Sequence, residues 1–179
     1  MKKYLISFAS LLSLIIILGF NFSKTSIPKA FDDKPLLAPL QYVDYNDSLW
    51  LEQRDNKCGE WGGNFKSVVI YRDRENRKLY ANYFYKEMDC SRRGYEENPR
   101  KNTIEKNGCE LSDDELEMIV QAVVELTEIK LNRRKIAFHS GFYNHVFMTH
   151  GNLELKDFPS LYWKSFNLFF ERLKSKKCN

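Results

Sequence analysis

The sequence reads as an α+β domain in the order βββαββα, an antiparallel sheet of about five strands packed against two helices. Three observations carry that reading. Short β-rich segments flank polar turns between residues 48 and 86, a capped amphipathic helix opens near residue 112, and an aromatic-rich helix closes the chain. The domain spans residues 45–179, and two distinct regions precede it.

Lys2 and Lys3 lead into residues 4–22, which carry no charge, the pattern of a secretory signal. The apolar run is also long enough to span a bilayer, and Gly19-Phe20-Asn21-Phe22-Ser23 makes a poor cleavage site. Residues 1–23 therefore read either as a cleaved signal peptide or as a retained signal-anchor helix, and both readings stand. In either case the lysines stay cytoplasmic and the domain is exported to the cell envelope. It then faces outward on a membrane anchor, or is periplasmic or secreted if cleaved. Residues 24–44 hold Pro28, Pro35 and Pro39, three of the five prolines, and read as a linker.

Within the domain, residues 48–54 (SLWLEQR), 67–72 (SVVIYR) and 78–86 (KLYANYFYK) alternate as strands do, and DRENR between the last two marks a hairpin turn. Val68 and Ile70 share one face, and Leu79, Ala81, Tyr83 and Tyr85 share a face of the next strand. Residues 91–110 are polar and lack apolar periodicity, so they read as a long loop. That loop is either a disulfide-limited surface segment or a partner-binding one using Arg92, Arg93, Tyr95 and Arg100. Ser112 and Glu115 form a capping box ahead of the stripe Leu116, Ile119, Val120, Val123 and Leu126. Acids fill the first turn of that helix, and Lys130, Arg133 and Arg134 its last. Residues 142–149 and 153–155 form a second hairpin. The final helix is expected to start at Asp157-Phe-Pro-Ser160, with Tyr162, Trp163, Phe166, Phe169, Phe170 and Leu173 on its packed face. Lys174, Lys176 and Lys177 close it, and membrane-surface docking is the alternative use of that face.

Cys58, Cys90, Cys109 and Cys178 all follow the leader, and an even count in an exported chain favours disulfides. A hairpin turn centred near Glu75 sets Ile70 opposite Tyr80, Val68 opposite Asn82 and Glu60 opposite Cys90. Bulged residues between Gly59 and Gly63 then bring Cys58 to Cys90, leaving Cys109 for Cys178.

The segment Cys58-Gly-Glu-Trp-Gly-Gly-Asn-Phe65 is the most unusual in the chain. Its glycines precede a strand and lack the lysine–hydroxyl pair of a phosphate loop, so they read as freedom for a bend. Trp61 either packs there or stands exposed as an aromatic platform for a sugar or partner. No closely spaced cysteine pair marks a zinc site, and in a continuous strand His145 and His150 point to opposite faces; His139 lies just upstream. No nucleophile elbow surrounds Ser140-Gly141. Catalytic, cofactor and metal assignments are therefore none.

Without Lys2 and Lys3, 26 basic face 24 acidic side chains, a net of +2, with signs interspersed. That pattern argues against nucleic-acid binding. The motifs C-G-E-W-G-G at 58–63 and F-P-S-L-Y-W-K-S-F at 158–166 resemble uncharacterised exported proteins of Bacteroidota, a resemblance that implies export but no activity. The expectation is a non-catalytic envelope domain that binds a protein or cell-surface polymer. The alternative is a small exported hydrolase using carboxylates near Glu60 and Asp89.

Overall fold

A computed structural model describes residues 40, 42–90, 103–132, 140–151 and 153–178, with Trp61 described in its backbone alone. The chain divides into units Met1–Leu36 and Leu37–Asn179, and every described residue belongs to the second. The expected signal or anchor at residues 1–23 thus lies outside the described residues. Among the described residues no helix is long and apolar enough to cross a membrane.

The strands are β1 (Ser48–Arg54), β2 (Phe65–Arg72), β3 (Leu79–Lys86), β4 (Thr103–Glu110), β5 (Tyr143–Met148) and β6 (Glu154–Asp157). They form one antiparallel sheet in the order β4-β3-β2-β1-β5-β6. Helices α1 (Asp113–Leu131) and α2 (Lys164–Ser175) pack on one face of it. The architecture is α+β, with the four-strand run β1–β4 preceding α1.

β4 is a correction: residues 103–110 are a strand, not part of a loop. Its composition hides it, because it is an edge strand whose residues are mostly exposed and therefore polar. Only Cys109 is buried, beside Ala81, and a bulge at Gly108, with φ +67°, breaks the period-two pattern.

The β2–β3 register is a second correction. Ile70 pairs with Ala81 and Val68 with Tyr83, one residue from the expected partners. The turn closes as a six-residue loop in which Asp73 N–H donates to the Lys78 carbonyl and Arg77 adopts φ +63°. A one-residue slip moves every side chain to the other face. The observed register is the one that puts Val68 and Ile70 beside Ala81 and Tyr83, on a common buried face.

On α1 the capping box forms as expected, with the Glu115 N–H donating to Ser112 Oγ and the Ser112 N–H to the Glu115 carboxylate. Ile119, Ala122 and Leu126 are its buried apolar stripe, whereas Val120 is exposed. Leu116 and Val123 pack partly buried against the core, and the Trp163 indole N–H donates 2.7 Å to the Ala122 carbonyl.

α2 begins at Lys164, not at residues 157–160, a third correction. Asp157 instead ends β6, and residues 158–163 run on without helix. The helix start is capped from outside its own sequence: Glu125 of α1 accepts from the Lys164 and Ser165 N–H groups at 3.0 and 2.6 Å. Trp163, Phe166, Phe169, Phe170 and Leu173 are buried as expected, but Tyr162 is 57% exposed.

Disulfides join Cys58 to Cys90 and Cys109 to Cys178, with Cα atoms 5.3 and 4.6 Å apart. Cross-links of this kind stabilise a domain by roughly 2–4 kcal/mol each, and they are consistent with an oxidising, exported location. The second pins the end of the chain beside Lys176, whose ammonium donates to the Glu110 carbonyl and the Glu115 carboxylate.

Candidate functional site: a polar cleft at one end of the core

The helix-facing side of the sheet is built from cross-strand rows. Ala81, Ile70, Leu49 and Met148 form one row; Tyr83, Val68, Leu51, Val146 and Leu155 form the next. Both are apolar and largely buried, as a core demands. The third row keeps the same orientation but reads Tyr85, Lys66, Gln53, Asn144, Asp157. Gln53 and Asn144 are 0% exposed and Asp157 2%. Four strands, β2, β1, β5 and β6, thus switch from apolar to polar at the same level of the sheet, while β3 keeps a tyrosine in both rows.

Burying amides without partners is costly, so their hydrogen bonds are informative. Asn144 Nδ2 donates to the Leu161 carbonyl at 2.9 Å and to Ser160 Oγ at 2.7 Å. Because a carbonyl can only accept, Asn144 is held with its Oδ1 toward β1, where it receives Gln53 Nε2 at 3.0 Å. The amide of Gln53 is therefore oriented as well. Its Oε1 is buried and has no donor among the described residues. An acceptor left so costs about 1–3 kcal/mol.

Next along the row, Lys66 reaches α2. Its ammonium donates to Asn167 Oδ1 at 2.5 Å and lies 5.2 Å from the centre of the Phe170 ring. Asn167 Nδ2 in turn donates to the Trp163 carbonyl. Burial pushes the Lys66 pKa down, and the carboxylates of Asp55 and Glu171 only partly offset it.

Gln53, Lys66 and Asn167 form part of the lining of an open cleft of about 510 Å³. Asp55, Asn56, Lys57 and Asn64 line it from the β1–β2 connection, and Phe142 and Tyr162 from the approach to β5 and α2. Leu168 and Glu171 complete it from α2. The Phe142 and Tyr162 rings meet edge to face at 6.1 Å.

The β1–β2 connection contains the glycine-rich segment, and its geometry is that of a locked bend. Asp55 accepts from the Lys57 and Asn64 N–H groups and from Asn64 Nδ2, at 3.0, 2.8 and 2.9 Å. Asn64 Oδ1 accepts from the Met88 N–H, tying the bend to the end of β3. A Cβ on Gly63 would sit 2.0 Å from Asp55 Oδ1, and Gly62 has φ +81°, so both glycines serve the bend. The observed register, extended, sets Cys90 opposite Trp61. The 3-10 turn Gly59–Trp61 brings Cys58 back to it, where a simple bulge was expected.

The other sequence-based candidates distribute as follows. The side chain of Trp61 lies outside the described residues, as do Arg92, Arg93, Tyr95, Arg100 and His139. Neither Glu60 nor Asp89 lines the cleft. His145 sits on the opposite face of the sheet, with the Glu52 and Glu154 carboxylates each 3.6 Å from a ring nitrogen. His150 lies in the β5–β6 turn, its N–H bonded to Asp47. Among the described residues no group of three or more His, Cys, Asp or Glu side chains could hold a metal ion.

Sequence reasoning missed Gln53, Lys66, Asn144 and Asn167. A signal was present: each of the three strand residues continues the inward parity of Leu49 and Leu51, of Ile70 and Val68, or of Met148 and Val146. No family model matches the chain, and neither a curated protein nor a solved structure matches it.

Proposed function

We propose that the chain is a non-catalytic, exported domain of the cell envelope that binds a protein or a cell-surface polymer, and that the polar cleft is where it binds. The observation that carries this reading is the Gln53 amide oxygen, oriented and buried without a donor in the lining of the cleft. A core free to optimise stability would place an apolar side chain there, as the two neighbouring rows do. A ligand group that donates to this oxygen recovers the cost when it binds.

The two disulfides and the leader, Lys2 and Lys3 followed by the uncharged residues 4–22, support export. The hydrolase alternative has less behind it, because Glu60 and Asp89 do not line the cleft and Asp55, which does, has its oxygens engaged by the bend. The test is cross-linking capture from intact envelopes with the full chain. Capture should fall at least fivefold for Lys66→Met and stay unchanged for His145→Gln on the opposite face. Equal loss from both variants, or none from Lys66→Met, overturns the reading.

A further inference from the structure

The groups in the cleft narrow the ligand's chemistry, and this step rests on the cleft being the binding site. Three requirements meet there. Gln53 Oε1 can only accept, so the ligand must present a donor. Lys66 can only donate, and Asn167 is its sole hydrogen-bond partner among the described residues, so the ligand must present an acceptor as well. Gln53 and Lys66 are direct cross-strand partners, so the donor and the acceptor belong to the same part of the ligand.

Charge removes the ionic candidates. Lys57 and Lys66 on the lining are balanced by Asp55 and Glu171, leaving no net charge to draw a free anion or cation. A carboxylate would suit Lys66, but it has no proton for Gln53 and would face Asp55 and Glu171. An ammonium would suit Gln53 but would meet Lys66. A neutral amide and a pair of neighbouring hydroxyls each meet both demands, and the aromatic lining favours the hydroxyls of a sugar ring, whose C–H face it can cover. Beside this pair the exposed Tyr162 ring, edge-on to Phe142, offers an apolar face for a flat C–H surface. The cleft's volume of about 510 Å³ falls within the range of small-ligand sites.

We infer that the cleft is a subsite for an uncharged saccharide unit, with one hydroxyl donating to Gln53 Oε1, its neighbour accepting from Lys66, and the ring face lying on Tyr162. The polymer it recognises is therefore a neutral glycan.

Calorimetric titration of the oxidised full chain in detergent tests this with cellobiose, maltose and N,N′-diacetylchitobiose, against a uronate disaccharide and an acidic tripeptide. At least one neutral disaccharide should bind more tightly than either acid. Tyr162→Ala, at an exposed position outside the fold's core, should weaken it by roughly fivefold, about one aromatic contact. Lys66→Met should weaken it by roughly tenfold. Tighter binding of the acids, or neutral binding unaffected by both variants, overturns the inference. If no neutral sugar binds while Lys66→Met still abolishes envelope capture, the saccharide assignment falls and the cleft remains the binding site. If capture also survives Lys66→Met, both fall.

Discussion

The two ends of the helix-facing side of the sheet treat their buried carboxylate and amide groups in opposite ways, while the Tyr83 hydroxyl in the row between them has no partner among the described residues. At the apolar end, beside Cys109–Cys178, the one buried carboxylate is fully satisfied. Glu115 accepts from the Ser112 backbone and hydroxyl and from Lys176, with Arg172 at 3.9 Å. At the other end, beside the bend closed by Cys58–Cys90, a whole cross-strand row is polar and Gln53 keeps an acceptor unpaired. The first arrangement is what stability alone selects. The second gives up stability in the lining of an open cleft, which is why the cleft and not the Glu115 cluster is read as the site.

That contrast is breakable, and the largest effect is expected where the row is apolar. Leu51→Ala should destabilise the domain by about 2–5 kcal/mol, measured by urea unfolding of the oxidised chain, because Leu51 is wholly buried between Val68 and Val146. A loss under about 1 kcal/mol would show that this end of the core is not tightly packed.

The Glu115 cluster should come next. Burial alone would raise its carboxyl, but the Lys176 ammonium and the Ser112 N–H and hydroxyl outweigh burial and hold it below the usual carboxylate range. A depressed folded pKa contributes stability above the unfolded value near 4.5, and that contribution is lost as pH falls through the folded pKa. Glu115→Gln should therefore lower stability by about 1–3 kcal/mol at pH 7 and lessen the further loss on acidification to pH 3. An unchanged acid limb would count against the assignment.

The smallest effect is expected in the polar row. Lys66→Met removes the burial penalty on the charge but leaves Asn167 Oδ1 without its donor, so the net loss of stability should stay under about 2 kcal/mol. Binding should nonetheless be lost. A Lys66→Met variant as destabilised as Leu51→Ala would make the polar row structural.

Much of the frame was legible in the residues themselves. Strand 48–54 and the capping box at Ser112 and Glu115 depend on neighbours within a few positions, and both stand where the pattern placed them. The cysteine pairing also came through, although the register behind it was off by one; the 3-10 turn absorbed the difference. β4 was hidden because an edge strand with a glycine bulge carries no apolar alternation. The start of α2 was hidden because its cap, Glu125, lies in another helix.

What the sequence determined by itself was therefore local: periodicity, caps, turn chemistry, and the oxidisable pairs that four cysteines allow. The cleft was decided by tertiary structure. Gln53 and Lys66 come from consecutive strands and Asn144 from a strand distant in sequence, and each is an unremarkable polar residue in its own strand. They become a site only because β1 lies between β2 and β5 in a fixed register, which sets the three side chains in one row, with Asn144 held by residues 160–161 and Lys66 by Asn167 of α2. Burial and partnership are properties of that assembled row, and it is there that an ordinary glutamine becomes an oriented acceptor without a donor.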